Sequence, residues 1–112
     1  MAPITVRVAL PAHLRRLSGV AGPIVEVEVA SPGDMITLGT VLDGLEHAYP
    51  ALRGTIRDYP AAGSTEPGAL RPFIRFFALE EDLTPFGQGA VLPPDVLSGK
   101  EVLRIIGAIA GG

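Results

Sequence analysis

Reactive chemistry in this 112-residue sequence is concentrated in its last residues. Residues 102–106 read as an apolar strand, after which Gly107, Ala108, Ile109 and Ala110 lead to the pair Gly111-Gly112. Glycine has no Cβ, so Gly111 and Gly112 can thread a channel too narrow for any other residue. Terminal residues also leave the surface of a domain at least cost. Read as a chain end, the tip offers one reactive group, the α-carboxylate of Gly112. A carboxylate can attack the α-phosphate of ATP to give an acyl-adenylate, and a sulfur nucleophile can then displace AMP to leave a thiocarboxylate. The sequence has no GxxxxGK[ST] run to cradle a phosphate and no cysteine to supply sulfur. The adenylating machinery, with its ATP and magnesium, is therefore expected in a partner. The chain itself is expected to bind no cofactor or metal and not to be an enzyme.

Other residues that could do chemistry are few. His13 reads as a solvent-exposed loop residue, and His47 lies beside Glu46 on the polar side of a helix, without metal-ligand spacing around it. Glu26 and Glu28 share one strand face with nothing catalytic beside them and read as a solvated face. Neither histidine lies in a segment with the nucleophile and base that a stand-alone enzyme would need. Twelve acidic against nine basic residues give a formal charge of -3, whereas nucleic-acid binders are usually basic. No apolar run approaches the ~18 residues of a membrane span, and no charged segment followed by an apolar core marks a secretory leader. The expectation is a cytoplasmic protein with neither nucleic-acid nor membrane partners.

The elements that must position the tail can be read in order. Residues 4–10 alternate as a half-buried strand with Ile4, Val6, Val8 and Leu10 inward. A short turn at 13–17 would place Leu14 and Leu17 on the core. Residues 24–30 form a second strand, antiparallel to the first across a loose loop, with Val25, Val27 and Val29 on one face. Thr37 is the expected N-cap of the main helix, whose stripe is Leu38, Val41, Leu42, Leu45 and Tyr49 and which Pro50 ends. Leu52, Ile56 and Tyr59 mark one more helical turn or an irregular return, and residues 60–67 a loop. The third strand is expected over 70–79, with Phe73, Arg75 and Phe77 on one face and Ile74, Phe76 and Ala78 on the other. One of these sets is expected to form a partner-docking patch. Residues 83–99 leave room for a short edge strand and a helical turn near 93–97, before the last strand at 101–106.

Three stretches together resemble the ThiS/MoaD family of sulfur carriers: residues 37–45 with 49–53, residues 97–102, and the ending Gly107 to Gly112. The resemblance implies an α+β, ubiquitin-like β-grasp roll, a mixed sheet of four to five strands with one main helix across it. Residues 1–106 would be the domain and 107–112 a flexible tail. It implies that Gly112 is adenylated and thiocarboxylated, that Gly111 is the slim channel residue, and that Ile109 and Ala110 join Phe73, Arg75 and Phe77 in binding partners. Those partners would be an E1-like adenylyltransferase, a sulfurtransferase and a downstream acceptor. The acceptor could be molybdopterin synthase large subunit, which is placed first, a cysteine synthase, or the thiazole-forming step of thiamin synthesis. A ubiquitin-like interaction module with an inert tail is the reading from another class. The resemblance departs in two places: Arg104 is one residue more than the family spacing before the tail, and where family members commonly turn on Asn-Gly after the third strand, Leu79-Glu80-Glu81-Asp82 stands instead. A differently built turn is expected there.

Overall fold

The computed structural model describes residues 3–29 and 35–107. Two antiparallel strands, β1 (Ile4–Ala9) and β2 (Ile24–Val29), pair over their full length from Ile4 with Val29 to Ala9 with Ile24. The alternation does what it predicts: Val6, Val8, Val25, Val27 and Val29 are buried, while Glu26 and Glu28 are exposed. The connection between the strands is more ordered than the expected loose loop. It holds helix α1 (Ala12–Ser18), which closes on Gly19 in the left-handed conformation that glycine adopts without a Cβ clash. Leu14 enters the core as expected, but Leu17, three residues on and near the end of α1, is 52% exposed.

Helix α2 (Leu38–Ala48) starts at Thr37, whose hydroxyl accepts the Thr40 N–H at 3.3 Å. Leu38, Val41, Leu42 and Leu45 are fully buried against the sheet. Gly44 has a packing reason for sitting in a helix. A Cβ there would stand 2.9 Å from Val27 Cγ1 and 3.1 Å from the Glu28 carbonyl oxygen, so only glycine lets α2 lie this close to β2. A 3₁₀ turn, Pro50–Leu52, follows. Leu52 and Ile56 then return to the core, and Tyr59 stays exposed.

Strand β3 (Ile74–Ala78) is shorter than the expected 70–79. Phe73, just before it, has φ +68, which breaks the extended run. Ala78 pairs with Glu81, the first residue of strand β4 (Glu81–Asp82), so Leu79 and Glu80 form the turn with φ +52 and +66. Positive φ at both central residues is the geometry that Asn-Gly favours in a two-residue hairpin. The expectation of a differently built turn is therefore corrected. The hairpin keeps the usual backbone path and places two non-glycine residues in it. A 3₁₀ stretch over Thr84–Gly89, broken at Gly87 by φ +69, and helix α3 (Pro94–Leu97) lead to strand β5 (Leu103–Gly107). The strand begins two residues later than 101 and takes in Gly107, which the sequence reading assigned to the tail.

Strand order is β2-β1-β5-β3-β4, with β5 parallel to β1 and antiparallel to β3. A five-stranded mixed sheet with α2 packed across one face is the ubiquitin-like β-grasp architecture.

Candidate functional site

The face of the sheet away from α2 is built by the outward half of each strand's alternation. Antiparallel register sets Arg75 opposite Ile106 and Phe77 opposite Arg104, and residues paired in this way share a face. Ala9, beside Arg104 in the parallel ladder, continues the surface towards β1. The inward partners Ile74, Phe76, Ala78, Leu103 and Ile105 are buried. Of the two sets of β3 residues open at the sequence level, Ile74 and Phe76 thus belong to the core. Arg75 is exposed, Phe77 is half-buried, and Phe73 is 62% exposed at the foot of the strand, outside the regular alternation.

The result is an apolar centre of Phe77 and Ile106, the latter 40% exposed, with Arg75 and Arg104 beside it. Arg75 reaches Asp82 on β4 at 3.2 Å, a solvent-exposed pair that positions the side chain more than it stabilises the fold. Hydrogen bonding to Thr84, and then the charge and hydrogen bond of Arg75, hold the Asp82 carboxyl below its ordinary range. Arg104 has no ion-pair partner among the described residues. Aromatic, aliphatic and arginine side chains on an open face are the composition of protein-interface centres.

Strand β5 leaves this face between β1 and β3 and ends at Gly107. Ile109, Ala110, Gly111 and Gly112 lie outside the described residues. The root of the tail is nevertheless in view, and it corrects the reading of His13. That residue belongs to α1, is half-buried, and places Cε1 3.4 Å from where a Cβ on Gly107 would stand. Its Nδ1 is buried without a hydrogen-bond partner among the described residues.

Sequence reasoning missed Arg57, the one charged residue buried in the described structure, at 6% exposure. Its Nε donates to Glu46 Oε2 at 3.0 Å, Nη1 to Gln88 Oε1 at 2.8 Å, and Nη2 to Asp43 and to Glu46 Oε1. Burial opposes the charge, but the hydrogen bonds and charges of Glu46 and Asp43 outweigh it and raise the guanidinium pKa. The spacing of Asp43 and Glu46, three apart on one side of α2, was the only available signal. Arg57 lines a cavity of about 440 Å³ with Asp43, Glu46, His47, Arg53 and Tyr59. Because its donors are committed to side chains of the same domain, this cluster clamps the 53–71 connection onto α2. His47 is exposed there, as expected. No group of three His, Cys, Asp or Glu among the described residues could hold a metal ion, and no helix among them is long and apolar enough to cross a membrane.

Comparison with solved structures finds the same ubiquitin-like β-grasp fold. Small archaeal modifier protein 1 from Methanosarcina acetivorans superposes with a TM-score of 0.70 at 24% identity, covering 100% of both chains. CysO of Mycobacterium tuberculosis gives 0.62 at 25% identity over 93% of this chain and 99% of that one. The BexX/CysO complex of Amycolatopsis orientalis gives 0.61 at 24% identity over 96% of this chain and 99% of the matched chain. No family model and no curated protein matches the sequence.

Proposed function

We propose that this chain is a sulfur carrier whose Gly112 carboxylate is adenylated by an E1-like partner, using ATP and magnesium held in that partner. A sulfurtransferase system then converts it to a thiocarboxylate. The sulfur in this proposal goes into the dithiolene of molybdopterin as that molecule is made, with the chain acting as the small subunit of the synthase. The observation that carries the reading is the placement of β5. An interior strand of the sheet ends at Gly107 beside an open face of Phe77, Arg75, Ile106 and Arg104, and the sequence reaches Gly111-Gly112 five residues later. A partner can grip the face and receive the tail in one encounter. The α+β fold, shared over nearly the whole chain with small modifier proteins and with CysO, supports the reading. The ending Ala108 to Gly112 resembles that of cysteine-pathway carriers, so sulfide transfer in cysteine synthesis is the second destination.

A reading from another class is favoured by the names of neighbours described as modifier proteins. The same activated carboxylate would then be passed to an amine of another protein instead of to sulfur. Intact-mass measurement of the native protein separates the two. A carrier gains the mass difference between one sulfur and one oxygen, whereas a modifier appears joined to another chain. A terminus that stays unmodified during turnover with ATP and the adenylyltransferase would sink both. A thiocarboxylated protein that gives no product with molybdopterin synthase large subunit would sink the pathway assignment alone.

A further inference from the structure

The sheet has two edges, and they are not alike. On one side β4 is only two residues long, Glu81–Asp82. On the other, β2 runs for six residues, pairs only with β1, and has no strand or bridge on its outer side among the described residues. An edge strand presents a row of N–H and C=O groups open to pairing with another chain. The strongly amphipathic residues of β2 hold this edge extended, since its valines are locked in the core.

The edge also opens on a groove. A recess of about 730 Å³ runs between β2 and α2, lined among others by Glu26, Glu28, Thr40, Asp43, Gly44 and His47. At Gly44 α2 lies against the Glu28 carbonyl oxygen and closes the recess there. No lysine or arginine lines the recess. Glu26 and Glu28 have no ion-pair partner among the described residues. Their charges oppose pairing with a second copy, because an antiparallel β2–β2 contact would set glutamates against glutamates. The same charges favour a strand that brings cations.

We propose that the β2 edge and its acidic groove accept an extended peptide segment with lysine or arginine at alternate positions, which adds a strand to the sheet. Backbone hydrogen bonds to β2 give the affinity, and cations opposite Glu26 and Glu28 give the selectivity. Two strands, β1 and β5, separate this edge from β3, and it does not depend on the fate of the tail, so an occupied β2 edge leaves Phe77 free.

The test titrates the ¹⁵N-labelled full chain with a capped peptide alternating valine and lysine, and with the analogue alternating valine and glutamate. The expected result is amide shifts confined to β2 and α2, slowed hydrogen exchange on the outward amides of β2, and binding of the glutamate peptide at least about tenfold weaker. The double variant Glu26→Lys with Glu28→Lys, both at exposed positions, should reverse that preference and keep the wild-type amide pattern elsewhere. Equal response to both peptides, shifts scattered over other surfaces, or no shift at millimolar peptide would overturn the proposal. Concentration-dependent shifts of the same β2 amides without peptide would also overturn it, since the occupant would then be a second copy.

Discussion

The two faces of this sheet are made by one alternation and end in opposite environments. Phe76 and Phe77 are neighbours in β3, yet Phe76 is fully buried beneath the helical layer and Phe77 stands half-open beside Arg104. On the inner face Val6, Val8, Val25, Val27, Val29, Ile74, Phe76, Ala78, Leu103 and Ile105 are apolar and buried. On the outer face Phe77 and Ile106 have no such cover among the described residues, and Phe73 projects at the foot of β3. The fold does not require large apolar side chains there, so their presence speaks for an intermolecular use. On the proposed function, one side of the strand serves stability and the other recognition.

The sharpest way to break that division is at the tail. Deleting Gly111 and Gly112 should abolish adenylation by the partner while leaving the unfolding midpoint unchanged within error, because terminal residues add little to a core. Adenylation of the truncated chain at the normal rate would remove the tail from the mechanism. Next in size, Arg57→Ala should lower stability by about 3 kcal/mol, since it leaves Glu46 and Asp43 without their buried cation. Denaturant titration measures the loss, and partner affinity should not follow it. If both fell together, the two faces would be coupled.

Phe73→Ala tests the recognition side. Its expected effect is a loss of partner affinity of about 1 kcal/mol or more, with an unfolding curve close to wild type because the ring is mostly exposed. Unchanged affinity would remove this ring from the docking surface. The double change Leu79→Asn with Glu80→Gly should stabilise the domain by about 1 kcal/mol by relieving positive φ at two residues with side chains. A loss of stability would show that the Leu79 and Glu80 side chains contribute more than their backbone costs.

The smallest effect concerns acid. Asp82 has its folded-state pKa lowered below 3.8, chiefly by hydrogen bonding to Thr84. A depressed carboxyl contributes stability that is present above its unfolded value and is lost as pH falls through the folded one. Asp82→Asn should therefore flatten the acid limb of the stability curve below about pH 4, with no change at neutral pH in the slope. Identical acid limbs for the two proteins would show that the Thr84 contacts do not persist in solution.

Much of the frame was legible in order along the chain. Strict alternation in β2, the Thr37 cap and the apolar stripe of α2 are local patterns, each dictated by the period of its own element. The choice between the two faces of β3 was not legible. Phe76 and Phe77 are equally apolar, and only the register with β5 and the position of α2 decide which is covered. The buried Arg57 was hidden for the same reason. Its partners stand 11 and 14 residues before it and 31 after it, and no local period links them. The hairpin at Leu79-Glu80 is a third case, where strand pairing imposed a backbone path that the side chains disfavour. The amino-acid sequence by itself determined the main strands and helix, the amphipathic faces of β1, β2 and α2 and the glycine-tipped ending, because these follow from covalent geometry and hydrophobic period. Tertiary structure alone decided which face stays open, which cation is buried and what lies at the root of the tail, because those depend on contacts between residues far apart in the chain.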